Sequence, residues 1–213
     1  MGLSLRASST AIAVLTFVLT GTSVSAHRHD ELLQAARIAI GQQRIELEVS
    51  LTPGIAVAEV MISGVDRDRD GVISADENRE FTREVLGAMQ LEIDRLPLRI
   101  ASVSTTFPTI DALRGGDGPI ELRAIATLPS LPEGKHHVTF NNAYRRDIGV
   151  YLTNALVPDD DLVTIGAQER DPEQRSSVIG YTLASPPSAM LPLWMFAPAA
   201  GAWLVLRRRL LPV

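Results

Sequence analysis

The stretch Ile45-Glu46-Leu47-Glu48-Val49-Ser50-Leu51 decides the fold class. Apolar and polar side chains alternate with a period of two, which places Ile45, Leu47, Val49 and Leu51 on one face of a half-buried strand. Similar rows recur downstream: Leu96, Leu98 and Ile100; Ile120, Leu122, Ala124 and Ala126; Val138 and Phe140; Ile148, Val150 and Leu152. Leu162 to Ile165 and Ser177 to Leu183 are further strand candidates, the latter with Ile179, Tyr181 and Leu183 on one face. Turn chemistry separates the rows at Gly115-Gly116-Asp117-Gly118-Pro119, Pro132-Glu133-Gly134 and Pro158-Asp159-Asp160-Asp161. About seven or eight short strands predict a mainly β chain built as an antiparallel β-sandwich.

Between the first row and Leu96 the period changes. Phe81, Val85, Ala88 and Met89 fall on one helical stripe, Ser74 can cap its start, and acids follow the cap. A helical insertion is therefore expected over residues 55–92. At its centre, residues 66 to 77 read Asp-Arg-Asp-Arg-Asp-Gly-Val-Ile-Ser-Ala-Asp-Glu. Calcium takes six to eight oxygens, and a 12-residue loop supplies them from positions 1, 3, 5, 7, 9 and 12. Asp66, Asp68 and Asp70 each offer a carboxylate oxygen, Val72 a backbone carbonyl, Ser74 a hydroxyl, and Glu77 a bidentate carboxylate. Gly71 stands where the chain must turn with positive φ.

This segment resembles the EF-hand family. The likeness extends upstream, where Ala58, Met61, Ile62 and Val65 form the apolar face of an entering helix, and downstream to Phe81 and Val85. Asn78 is polar where the family usually has an apolar residue. Ile73, at the eighth position, is the residue that pairs with a partner loop in the family, and this chain has one loop. A lone loop of this kind implies weak, structural Ca²⁺ binding, with Kd of about 10⁻⁴ to 10⁻³ M.

The two ends of the 213-residue chain are compositionally distinct. Residues 1–26 carry one Arg, an apolar run from Ala11 to Leu19, and small residues up to Ala26, the pattern of a signal peptide cleaved before His27. An uncleaved N-terminal anchor is the alternative, and export follows in either case. Residues 189–206 hold no charge, and Arg207, Arg208 and Arg209 follow at once, which reads as a transmembrane helix with a cytoplasmic basic tail at 207–213. A buried core helix is the other reading of that run. The same ending also resembles the processed sorting tails of some bacterial surface proteins.

Residues 27–188 then form the extracytoplasmic domain, periplasmic or extracellular, of a single-pass cell-membrane protein. They hold 16 basic side chains against 25 acidic, a net of −9. An acidic surface repels phosphate and excludes nucleic acid as a partner. The chain has no cysteine, so no disulfide supports the exported domain. It also lacks the G-x-S-x-G, H-E-x-x-H and phosphate-loop patterns, which argues against an enzyme.

Once cleaved, the chain would begin His27-Arg28-His29, and a free amine with a third-position imidazole suits square-planar Cu²⁺ or Ni²⁺. His136 and His137 are adjacent on a strand and face opposite ways, which makes them structural. The Ala26-His27 junction, the strand Gln43 to Leu51, the acidic middle and Leu131-Pro-Glu-Gly-Lys-His-His-Val-Thr-Phe140 loosely resemble extracytoplasmic β-domains of bacterial nickel/cobalt-exporter-type proteins. That resemblance implies a metal-exporter accessory protein whose partner is a membrane transporter. The residues themselves point first to a non-enzymatic, membrane-anchored, calcium-binding domain that presents a surface to another protein.

Overall fold

The computed structural model describes residues 30–185. The signal peptide, His27 and His29, the expected span at 189–206 and the Arg207–Arg209 cluster lie outside the described residues. No helix among the described residues is long and apolar enough to cross a membrane.

Among the described residues, ten strands and three helices follow one another as β1 (Leu32–Ile40), β2 (Arg44–Pro53), α1 (Ile55–Val65), α2 (Ala75–Gly87), β3 (Met89–Ile93), β4 (Leu96–Pro97), β5 (Ala101–Thr106), α3 (Ile110–Gly115), β6 (Ile120–Thr127), β7 (Gly134–Asn142), β8 (Gly149–Ala155), β9 (Val163–Arg170) and β10 (Ser176–Leu183). They build two five-stranded sheets, ordered β5-β6-β2-β1-β8 and β4-β3-β7-β10-β9. The mainly β expectation holds. Antiparallel pairing dominates, but β1 and β8 pair in parallel from Leu32↔Gly149 to Ile38↔Ala155.

The alternation in β2 does what its pattern dictates: Ile45, Leu47, Val49 and Leu51 are buried, and β2 is the central strand of its sheet. β7 holds the same place in the other sheet and buries Val138 and Phe140. One hydrophobic cluster draws on Ile38 and Leu47 of the first sheet, on Leu91, Phe140 and Ile179 of the second, and on Met61 and Phe81 of the helices. Each such side chain, fully buried, contributes about 1.5–3 kcal/mol.

Two local expectations are corrected, and one strand was not expected. The helical stripe ends earlier than Met89, because α2 stops at Gly87 and Met89 opens β3, where its side chain is buried by the pleat. The row Leu96, Leu98 and Ile100 is not one strand: Leu96–Pro97 pairs with β3 in the second sheet, and the chain then crosses to the first sheet, where Ala101 opens β5 against β6. β1 escapes the alternation test because Ala35, Ala36 and Ala39 blur the contrast between faces of a strand that buries every second residue.

Candidate metal centre

Helix α1 is anchored by Val57, Ala58, Met61, Ile62 and Val65, all buried, which includes the four residues expected for an entering helix. It ends as the Asp66 N–H donates to the Ile62 carbonyl at 2.8 Å. The chain then turns twice through left-handed backbone, at Arg69 (φ 62°) and Gly71 (φ 82°). Glycine carries no steric penalty there, whereas Arg69 does. Asx turns complete the loop: Asp68 Oδ1 accepts from the Asp70 N–H at 3.2 Å, and Asp70 Oδ1 from the Val72 N–H at 2.8 Å.

The carboxylates of Asp66, Asp68 and Asp70 converge, with one oxygen of each within 4.8 Å of the others. Asp66 is 4% exposed. Its Oδ2 accepts from the Gly71 N–H at 3.0 Å, while its Oδ1 is buried with no hydrogen-bond partner among the described residues. An ionised oxygen withdrawn from water without a partner is costly, and two like charges beside it add repulsion. A hard cation among the three would relieve both. The residues present therefore fit a divalent, oxygen-ligated ion.

Ser74 and Glu77 are engaged with each other. Ser74 caps α2, its Oγ accepting from the Glu77 N–H at 3.3 Å. Glu77 Oε2 accepts from the Ser74 N–H at 2.9 Å and the Ser74 hydroxyl at 2.7 Å, which completes a capping box. Glu77 Oε1 accepts from the Arg67 N–H at 2.7 Å and the Asp68 N–H at 3.4 Å. These donors, the Ser74 N–H first, the Ser74 hydroxyl next and then the Arg67 N–H, hold the Glu77 carboxyl at a pKa of about 2 against a smaller opposing effect of burial. Glu77 thus stays ionised and laces the start of the loop to the start of α2, outside the trio of converging aspartates. The Val72 side chain is exposed, and Ile73 packs against the core.

Asn78 has a role that its polarity left unexplained. Its Nδ2 donates to the Thr105 carbonyl at 3.3 Å, so α2 is tied to β5 at the residue that follows Glu77. His136 and His137 face opposite ways along β7: His136 is buried and His137 exposed. His136 forms an ion pair with Asp94 that the sequence reading missed, because 42 residues separate the partners and only the β3–β7 pairing brings them together. Comparison of the chain with protein-family models, curated proteins and solved structures gives no match.

Proposed function

We propose that this chain is an exported, membrane-anchored and non-enzymatic domain whose loop from Asp66 to Glu77 holds a structural Ca²⁺, and whose two sheets face each other as a sandwich that presents a surface to a protein partner. The observation that carries the metal reading is the buried Asp66 Oδ1, without a hydrogen-bond partner among the described residues, on a carboxylate that converges with those of Asp68 and Asp70. Asp66, Asp68 and Asp70 would hold the ion, with the Val72 carbonyl, the Ser74 hydroxyl and Glu77 completing the oxygen set. The ion supplies positive charge where the fold concentrates negative charge. The sandwich is supported by the single hydrophobic cluster that takes residues from both sheets.

An ion bound only by the folded chain stabilises it by RT ln(1 + [L]/Kd), about 2.7 kcal/mol at a hundredfold excess over Kd. A thermal melt of the full-length chain is therefore expected to rise with millimolar Ca²⁺ and to rise less with Mg²⁺, which demands a smaller octahedral site. Glu77→Gln and Asp66→Asn should each remove most of the shift, measured against the ion-free melt of the same variant. Asp76→Asn should keep it, because Asp76 is exposed and lies between ligand positions. Equal loss in all three variants, or no shift in the parent, would sink the calcium reading.

Anchorage rests on the uncharged run 189–206 and the three arginines behind it. Full-length protein is expected to remain in the membrane pellet after carbonate washing. Release of intact chain into the wash would overturn the span.

A further inference from the structure

A groove of about 810 Å³ runs between α2 and β5. Its charge is opposite to that of the molecule. Residues 27–188 carry a net of −9, yet Arg79, Arg83 and Arg99 line this groove and no Asp or Glu does. Arg79 pairs with Asp76, whereas Arg83 and Arg99 make no ion pair among the described residues. Leu98 and Val103 add apolar surface, and Val103 is 60% exposed.

The wall opposite α2 is a sheet edge. Among the described residues β5 is the outermost strand of its sheet and pairs with β6 alone. Helix α2 closes the groove at Thr105, where Asn78 reaches the Thr105 carbonyl and Thr82 Oγ1 lies 2.7 Å from Thr105 Oγ1. Ala101 to Ser104 are left exposed. An edge strand presents unpaired N–H and C=O groups to any extended chain that reaches it.

We propose that this groove binds an extended peptide of a partner protein, with acidic side chains alternating with apolar ones, as an added strand on β5. Main-chain hydrogen bonds to the edge would supply affinity, and the three arginines would select acidic side chains. The occupant is not a segment of this chain outside the described residues, because residues 1–29 and 186–213 contain no Asp or Glu to match the arginines. A second copy pairing β5 to β5 would set arginine against arginine, and the register shift between Ser102 and Ser104 further discourages self-pairing. This inference supplies the surface for the partner-presenting reading above but does not depend on the calcium loop.

The test is fluorescence anisotropy of a labelled acetyl-Glu-Val-Glu-Val-Glu-amide peptide titrated with the full-length chain in EDTA, so that calcium plays no part. Saturable binding is expected, with none for the Lys-Val-Lys-Val-Lys counterpart. Arg83→Glu combined with Arg99→Glu should weaken binding at least about tenfold while leaving the thermal melt unchanged. N-methylation of one alternate set of peptide amides should abolish binding, and methylation of the other set should spare it, since a strand turns only every second amide toward its neighbour. Absence of saturable binding, or equal affinity of the two methylated peptides, would overturn the proposal. So would arginine-dependent binding of phosphatidylglycerol vesicles in place of the peptide, which would assign the groove to anionic lipid. A calcium melt that fails leaves this titration unaffected, so the two readings fall separately.

Discussion

Asp94 sits just beyond β3 with a positive φ of 49° and holds two successive residues of β7. Its Oδ2 lies 2.7 Å from His136 Nδ1, and its Oδ1 accepts from the His137 N–H at 2.9 Å. His136 Nε2 lies 2.8 Å from the Pro132 carbonyl, so both ring nitrogens face acceptors and only the imidazolium can donate to both. The Asp94 hydrogen bond therefore raises the His136 pKa above its usual 6.5, against the opposing effect of burial and with help from the Pro132 carbonyl. Burial opposes ionisation of Asp94, but the hydrogen bonds from His136 and the His137 N–H outweigh it and lower the Asp94 pKa below 3.8. The raised imidazole pKa makes its stabilisation fully present below pH 6.5 and lost as pH rises through the higher folded value. The lowered carboxyl pKa makes its share present above pH 3.8 and lost as pH falls below that. Melting temperature should accordingly decline on the alkaline side of pH 6.5, by the equivalent of about 1 kcal/mol, since Asp94 is 43% exposed and solvent screens the pair. Asp94→Asn should flatten that limb in melts taken across pH 5 to 9, and a limb of undiminished slope would remove the pair as its cause.

At the scale of elements, the unusual join is the parallel one between β1 and β8, which begins where Gly149 lies opposite Leu32. A Cβ on Gly149 would stand 2.6 Å from Gln34 Nε2, 2.7 Å from the Arg145 carbonyl and 2.8 Å from the Tyr151 hydroxyl. Two of those groups, Gln34 Nε2 and the Tyr151 hydroxyl, belong to a buried network. Gln34 Nε2 and the Tyr151 hydroxyl both donate to the Tyr144 carbonyl at 2.8 Å, and Asn142 Nδ2 donates to Gln34 Oε1 at 3.0 Å. The network spans both sheets, since Gln34 is on β1 and Asn142 on β7. Gly149→Ala is expected to destabilise by about 1–3 kcal/mol in chemical denaturation, because backbone and paired polar groups must shift together. Gly64→Ala, in α1 with nothing within 4 Å of the added carbon, should instead gain about 0.5–1 kcal/mol. Equal effects at the two glycines would show that the close approach at β8 has no energetic weight.

For the whole molecule, the shared cluster implies that the sheets stand or fall together. Phe140 is fully buried on β7, the central strand of the second sheet. Phe140→Ala should cost about 3–5 kcal/mol. Amide hydrogen exchange should then accelerate in β1 and β2 as much as in β7 and β10, since a common core makes global opening the shared route. Protection retained in the first sheet alone would mean two separate cores.

What the sequence determined by itself was whatever depends on near neighbours along the chain. The alternation of Ile45 to Leu51, the 12-residue acidic loop and the capping residue Ser74 are local patterns with periods or offsets of a few residues, and each reappears as a strand, a turning loop and a helix start. The convergence of Asp66, Asp68 and Asp70 was legible for the same reason. Tertiary structure alone decided the parallel β1–β8 join, the end of α2 at Gly87, the pairing of Asp94 with His136 and the basic groove beside β5. It also gave Glu77 hydrogen bonds from Ser74, Arg67 and Asp68 that loop spacing does not show. The physical reason is common to these cases. Which strand lies beside which, and which charge is stripped of water, depends on chain closure over tens of residues, and that free energy is settled by burial in a shared core rather than by any local period.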